Sequence, residues 1–329
     1  MNNYKSVGVI GTGSYLPENI VTNDDLANIV DTSNEWIISR TGIKERRFAK
    51  DSVSTSDLAY EAGKKAIEDA GLTPEDIDLI ILATLTPDMI LPSTACFVQE
   101  KLKAVNAAAF DVSAACSGFL YGVTIATQMI KGGVNNNVLV IGAEAMSKVL
   151  DMEDRNTCVL FGDGAGAVVM SEVKDGYGVL ATDLGADGTG SMALNIPAGG
   201  SRNPATEITV KEKMHYLRME GSSVFKFAVR AMVSSSKIVI EKANLTLDDI
   251  DYLVPHQANI RIIETSAKKM KLPMEKVKVN LDRYGNVSAG SIPIALDEAV
   301  KEGKITEGDN VVLVGFGGGL TWGSCLIKW

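Results

Sequence analysis

The sequence predicts an α/β protein made of two duplicated halves that share one body. Two observations carry this. Strand-like apolar runs alternate with amphipathic helices along the whole chain, a pattern that lays helices over the faces of sheets. The chain also repeats itself: AIEDAGLTPEDID at 66–78 returns as VIEKANLTLDDID at 239–251, identical at eight of thirteen positions. The offset is 173 residues, and the same offset relates NVLVIG at 137–142 to NVVLVG at 310–315. Solenoid repeats have periods of about 20–50 residues. An offset near half of 329 residues instead marks a duplication, with halves at 1–173 and 174–329. No Pro-, Ser- or Gly-rich linker divides them, so a site is expected where they meet.

The elements follow in order. Residues 56–70 carry apolar side chains near helical spacing and stop at Gly71, a helix-ending residue. Residues 77–85 and 107–112 are β-rich, 117–130 read as a helix, and 138–141 and 165–170 as buried strands. The second half gives helices at 222–243, 257–270 and 291–302, with strands at 251–255, 277–281, 310–315 and 322–328.

Composition narrows the function. A 46% hydrophobic, 22% charged chain is an ordinary folded soluble protein. No apolar run approaches the ~18–20 residues of a membrane helix. A net charge of −9 argues against non-specific nucleic-acid binding, which needs a basic footprint. The first residues show no export signal. Cys96, Cys116, Cys158 and Cys325 form no CxxC pair and no metal-ligand spacing, so free thiols in a reducing cytoplasm and no metal are expected.

The glycine-rich segments at 11–13, 162–166 and 315–319 lack the dinucleotide fingerprint, and no phosphate-loop motif occurs. Cys116 lies between an apolar strand and a helix among small neighbours. A sulfur at a helix N-terminus is favoured as thiolate. Context leaves two readings open, a nucleophile or a buried structural thiol. Cys158 and Cys325 sit in apolar stretches and read as inert, while Cys96 ranks second as a reactive thiol. His256 stands where a strand gives way to a helix, a usual place for chemistry in α/β proteins. His215 reads as surface. A Cys–His pair would therefore join Cys116 to His256, with a structural histidine as the other reading. Asn286, in a glycine-flanked loop, reads by position as a turn or cap residue. Thr32 and Glu35 fit a capping box, which sets Trp36 and Arg40 on one helix face. Residue type leaves open whether Trp36 is a half-buried core residue or part of a binding surface.

Seven motifs, in order, resemble one family: GTGSYLP at 11–17, WIISRTGI at 36–43, DVSAACSGF at 111–119, FGDGAG at 161–166, PHQAN at 255–259, GNVSAG at 285–290 and GFGGGLTWG at 315–323. Together they resemble β-ketoacyl-acyl-carrier-protein synthase III. The resemblance implies a thiolase fold, two halves in a five-layered αβαβα body, and a homodimer. It implies a Cys116–His256–Asn286 triad and an oxyanion hole from the backbone N–H groups of Cys116 and Gly318. Acyl-CoA would be a substrate, with no cofactor, and malonyl-acyl-carrier protein the second substrate. The coenzyme would meet Thr32, Trp36, Arg40, Arg155, Gly221 and Asn259, with Trp36 and Arg155 sandwiching the adenine. Lys226, Arg261, Lys268 and Lys269 would dock the acidic carrier protein. Leu91, Phe161 and Phe316 would line the starter pocket. The motifs do not separate fatty-acid initiation from a related polyketide or quinolone-type enzyme with another starter. A papain-type hydrolase has the order Cys, His, Asn but neither its local motif nor the duplication. A non-catalytic scaffold is the remaining class.

Overall fold

The computed structural model describes residues 5–329. Two sheets form its frame. The first takes β1 (Val7–Tyr15), β2 (Leu79–Ala83), β3 (Ala108–Val112), β4 (Val138–Glu144) and β5 (Gly164–Glu172) in the order β1-β5-β4-β2-β3. The second takes β6 (Gly178–Ala186), β7 (Tyr252–Pro255), β8 (Asn310–Gly317) and β9 (Thr321–Lys328) in the order β7-β8-β9-β6. Every strand of the first sheet lies before residue 173 and every strand of the second after it.

The pairing repeats between the sheets. β2 runs parallel to β4 as β7 does to β8. β4–β5 and β8–β9 are antiparallel, as are β5–β1 and β9–β6. The strand expected at 277–281 is the exception. Only Val277 bridges to Leu253, and a short helix, Leu281–Tyr284, follows. The alternation there breaks because Asn280 N–H turns to the Gln257 side chain, at 3.0 Å, instead of continuing a ladder.

Helices complete five layers. α1 (Asn34–Thr41) lies apart from them, near the cavity mouth described below. α2 (Thr55–Asp69) and α3 (Thr94–Leu102) cover the outside of the first sheet. α4 (Gly118–Lys131) and α7 (Ser291–Lys301) lie between the sheets. α5 (Gly221–Lys242) and α6 (Ile260–Met270) cover the outside of the second. One apolar cluster joins Phe119, Leu120 and Val123 of α4, Ile292 and Leu296 of α7, and residues such as Val140 and Leu313 from opposite sheets. The two halves thus share their central core.

The repeated segment has a structural reason. Thr73 and Asp76 form a reciprocal capping box, and so do Thr246 and Asp249. The last residue of each segment then holds the start of a strand. Asp78 accepts from Asn137 N–H at 3.1 Å, and Asp251 from Asn310 N–H at 2.8 Å. The two repeated motifs in each half are therefore bound to each other.

Candidate active site

Cys116 sits in a single tight turn, Ala115–Ser117, between β3 and α4. Ala115 takes a left-handed φ of 46°. Two hydroxyls pin the turn through the Ala114 carbonyl: Ser117 Oγ donates at 2.8 Å and Thr321 Oγ1 at 3.0 Å. Gly317 makes room for it, since a Cβ there would lie 2.7 Å from the Cys116 nitrogen. The thiol is buried, and burial pushes its pKa up to about 12, with Ser288 hydrogen bonding opposing and the Glu144 charge adding. The expected thiolate is therefore corrected. Desolvation outweighs the helix N-terminus, and the resting group is a thiol.

His256 follows directly on β7 and is anchored by its N–H to Val314 O at 2.8 Å. Its ring meets Phe316 edge-on, with centroids 5.2 Å apart. Burial alone drives its pKa down to about 3, so the imidazole is neutral. Neither ring nitrogen has a hydrogen-bond partner among the described residues. A buried neutral imidazole with an unused N–H is a donor waiting for a ligand oxygen.

Asn286 is fixed at both ends. Its N–H donates to Leu160 O at 2.8 Å, and its carbonyl accepts from Gly162 N–H at 3.1 Å. Oδ1 accepts from Ser288 N–H at 2.8 Å, which leaves the Nδ2 donors for a ligand.

Cys116, His256 and Asn286 all line one cavity of about 410 Å³, together with Phe161, Phe316 and Gly317. Its mouth is formed by Trp36, Arg40, Arg155, Gly221 and Asn259. A second cavity of about 350 Å³ lies beyond the sulfur, walled by Leu85, Met146, Phe161, Leu194, Ile196, Leu217 and Gly318. Cys116 borders both. It therefore stands at the neck between an entrance tunnel and a largely apolar chamber.

Several expected site residues lie elsewhere. Thr32 is not the cap of α1. Ser33 is, accepting from Trp36 N–H at 3.2 Å, and Thr32 does not line the cavity. Phe316 belongs to the tunnel beside His256 and not to the chamber beyond the thiol. Leu91 is 83% exposed and walls neither cavity of its own chain. Arg155 rests on Trp36 with its guanidinium carbon 4.8 Å from the ring centroid. That spacing leaves no gap for a base between them, so Arg155 must move for one to stack. Arg40 is exposed at the mouth, and its carbonyl accepts from Asn259 Nδ2 at 3.0 Å. Asn259 Oδ1 also caps α6 through Arg261 N–H at 2.9 Å. Lys226, Arg261, Lys268 and Lys269 are all exposed, on the adjoining helices α5 and α6. Cys158 and Cys325 are buried and Cys96 is exposed; all four thiols are free. His215 is half-buried and bonded through Nε2 to Thr209 Oγ1 at 3.0 Å.

Sequence reasoning missed Ser288 and Glu144. Laying the halves on each other at the 173 offset would have found them: Ser288 falls on Ala115, Ala289 on Cys116 and Glu144 on Gly317.

Two stacked sheets with a central helix starting at a buried cysteine define the thiolase-fold acyltransferases. Solved structures place the chain there. It superposes with a TM-score of 0.91 on 3-oxoacyl-[acyl-carrier-protein] synthase III from Aquifex aeolicus, at 51% identity over 98% of this chain and 100% of that one. It superposes at 0.92 on the priming β-ketosynthase of the R1128 polyketide pathway, at 34% identity over 99% and 97%. Within that class the sequence decides. Residues 110–188 match the family described as 3-oxoacyl-[acyl-carrier-protein] synthase III, and 240–329 match its C-terminal counterpart. The β-ketoacyl-[acyl-carrier-protein] synthase III of Clostridioides difficile is 63% identical over 98% of both chains. The chain belongs to the β-ketoacyl-[acyl-carrier-protein] synthase III family.

Proposed function

We propose that the protein starts fatty-acid chains by decarboxylative condensation. The observation that carries this is the convergence of one thiol and two neutral donors, Cys116, His256 and Asn286, on a cavity that continues past the sulfur. Acyl-CoA enters by the mouth and its thioester carbon is attacked by the Cys116 sulfur. The new C–S bond forms, the bond to coenzyme A breaks, and the free coenzyme leaves as its thiol. The N–H groups of Cys116 and Gly318 stabilise the oxyanion, a kind of contact worth on the order of 3 kcal/mol per donor. Malonyl-acyl-carrier protein then takes the tunnel. Its thioester oxygen accepts from the neutral His256 and from Asn286 Nδ2. Carbon dioxide leaves, the enolate carbon attacks the acyl-Cys116 carbonyl, and the sulfur is released and reprotonated.

The remaining assignments follow from the surface. Trp36, Arg40 and Arg155 hold the nucleotide end of the coenzyme, and Gly221 and Asn259 border its arm. Lys226, Arg261, Lys268 and Lys269 receive an acidic carrier protein, an interaction that weakens with salt. Met89, Ile90 and Leu91 are exposed apolar residues in one loop, which a second copy covers in a homodimer. Leu91 would then serve the partner's starter pocket. Free thiols and the absence, among the described residues, of any helix long and apolar enough to cross a membrane fit a cytoplasmic enzyme.

The second, half-open and largely apolar cavity beside Cys116 favours a second reading, a polyketide-type priming enzyme with a larger starter. One experiment addresses both. The pure protein is incubated with radiolabelled acetyl-CoA and then with branched and longer acyl-CoAs, and the labelled peptide is mapped by mass. Label on Cys116 discharged by malonyl-acyl-carrier protein is the expected result. Preference for a long starter moves the assignment to the second reading, and no label with any donor overturns both.

A further inference from the structure

Glu144 ends β4 and is fully buried. Its carboxylate accepts from Thr86 Oγ1 at 2.6 Å, Thr86 N at 3.1 Å, Thr84 Oγ1 at 3.1 Å, Leu85 N at 3.2 Å and Ser288 Oγ at 2.9 Å. No donor in this shell is charged. A buried carboxylate without a cation carries a desolvation cost of several kcal/mol unless hydrogen bonds offset it. Neutral donors surround this one from two directions, the loop after β2 and the turn before α7. It therefore clamps the first half of the chain to the second.

The clamp closes on the catalytic side chains. Ser288 gives its hydroxyl to Glu144 and its N–H to Asn286 Oδ1, at 2.8 Å. Ser288 also holds a left-handed φ of 45°, a conformation a serine keeps only where its surroundings enforce it. Without the carboxylate the Ser288 hydroxyl loses its acceptor, and the backbone N–H that orients the Asn286 amide is no longer held in place from that side.

We propose that Glu144 is a positioning residue for the malonyl half of the reaction: through Ser288 it holds the Asn286 carboxamide with its N–H side turned to the cavity. This rests on the reading of Asn286 given above. Cys116 is the titratable group that Glu144 faces; the rest of its shell is the hydroxyls of Thr84, Thr86 and Ser288 and the amides of Leu85, Thr86 and Ala289. Burial raises the Glu144 pKa to about 7 against the hydrogen bonds of Thr86, Ser288, Leu85 and Thr84; above that pH its charge opposes formation of a second anion at the sulfur. Removing the charge while keeping the shape separates a positioning role from mere bulk.

The test scores two half-reactions, acyl transfer to Cys116 and malonyl-thioester decarboxylation, in wild type, Asn286→Ala, Glu144→Ala, Glu144→Gln and Ser288→Ala. Each variant is checked for folding by thermal melting. The expected result is loss of decarboxylation on the order of 100-fold in Glu144→Ala, a scale typical of a misplaced catalytic group, with acyl transfer much less affected. Ser288→Ala keeps the N–H to Asn286 but loses the hydroxyl tie to Glu144, so it should show a milder form of the decarboxylation defect, and Glu144→Gln should restore most of the rate. The pH profile of Cys116 alkylation by iodoacetamide should move to lower pH in Glu144→Gln. Equal loss of both half-reactions in folded Glu144→Ala, or an unmoved alkylation profile in Glu144→Gln, overturns the proposal. If Asn286→Ala itself decarboxylates normally, the reading of Asn286 fails instead. Should Glu144→Ala not fold, the Ser288→Ala and Glu144→Gln results decide.

Discussion

Two turns in this molecule share a left-handed first residue and differ in what meets them. Ala115-Cys116 precedes α4 and Ser288-Ala289 precedes α7, separated by the duplication offset. Their first residues share a left-handed φ, 46° and 45°. Each is met by the end of a strand from the other half. Opposite Cys116 that strand end is Gly317, which leaves the nitrogen of the nucleophile uncovered. Opposite Ser288 it is Glu144, which fills the space with a bonded carboxylate. Duplication supplied two similar frames. On the proposed mechanism one serves as an opening for substrate and the other as a support for Asn286.

The largest expected effect breaks the open turn directly. Cys116→Ala should abolish covalent acylation, seen as loss of the mass increment after acyl-CoA; persistent labelling would move the nucleophile to another thiol. Next comes a matched pair of glycines. Gly317→Ala puts a methyl group 2.7 Å from the Cys116 nitrogen, so the turn must shift; acyl transfer per folded molecule should fall about 100- to 1,000-fold, as loss of an oxyanion donor does, and the melting temperature should fall as well. Gly142→Ala, on the opposite strand, sets a Cβ 2.1 Å from Ala289 O. That change should destabilise the fold by about 1–3 kcal/mol, read in urea unfolding. If acyl transfer per folded molecule falls equally in the two variants, the two turns do not divide labour.

A smaller effect concerns pH. His256 has its pKa lowered to about 3 by burial, while the unfolded side chain titrates near its ordinary value. The unfolded state therefore binds the extra proton first, and folding stability falls as pH drops from about 6.5 toward 3. His256→Gln should flatten that part of the urea-midpoint profile. Decarboxylation by the wild type should also lack an acid limb near pH 6.5. The smallest effect lies at the mouth. Trp36→Ala should raise the apparent KM for acyl-CoA by about 5- to 150-fold, the worth of one stacked base, and leave kcat nearly unchanged.

Much of this was legible along the chain. The repeat, the strand-to-helix setting of Cys116 and the strand-end place of His256 are local patterns, and the structure puts each where its pattern pointed. The failures share a cause, which is competition from distant groups. Thr32 and Ser33 are both able caps, and only the packed loop chooses Ser33. The alternation at 277–281 reads as a strand until the Gln257 side chain takes the Asn280 N–H. Glu144 reads as the polar end of a strand because its partners lie 58 to 145 residues away. The helix argument for Cys116 was sound in direction and too weak, since sequence does not show how far a sulfur is removed from water.

The shared middle layer also sets an order for synthesis. When the first 173 residues have left the ribosome, α4 has one face on its own sheet and the other bare. The surface that covers it includes β9, which is the last strand made and, among the described residues, the only sheet neighbour of β6. The first half must therefore hold an apolar helix face exposed for nearly half the time of translation.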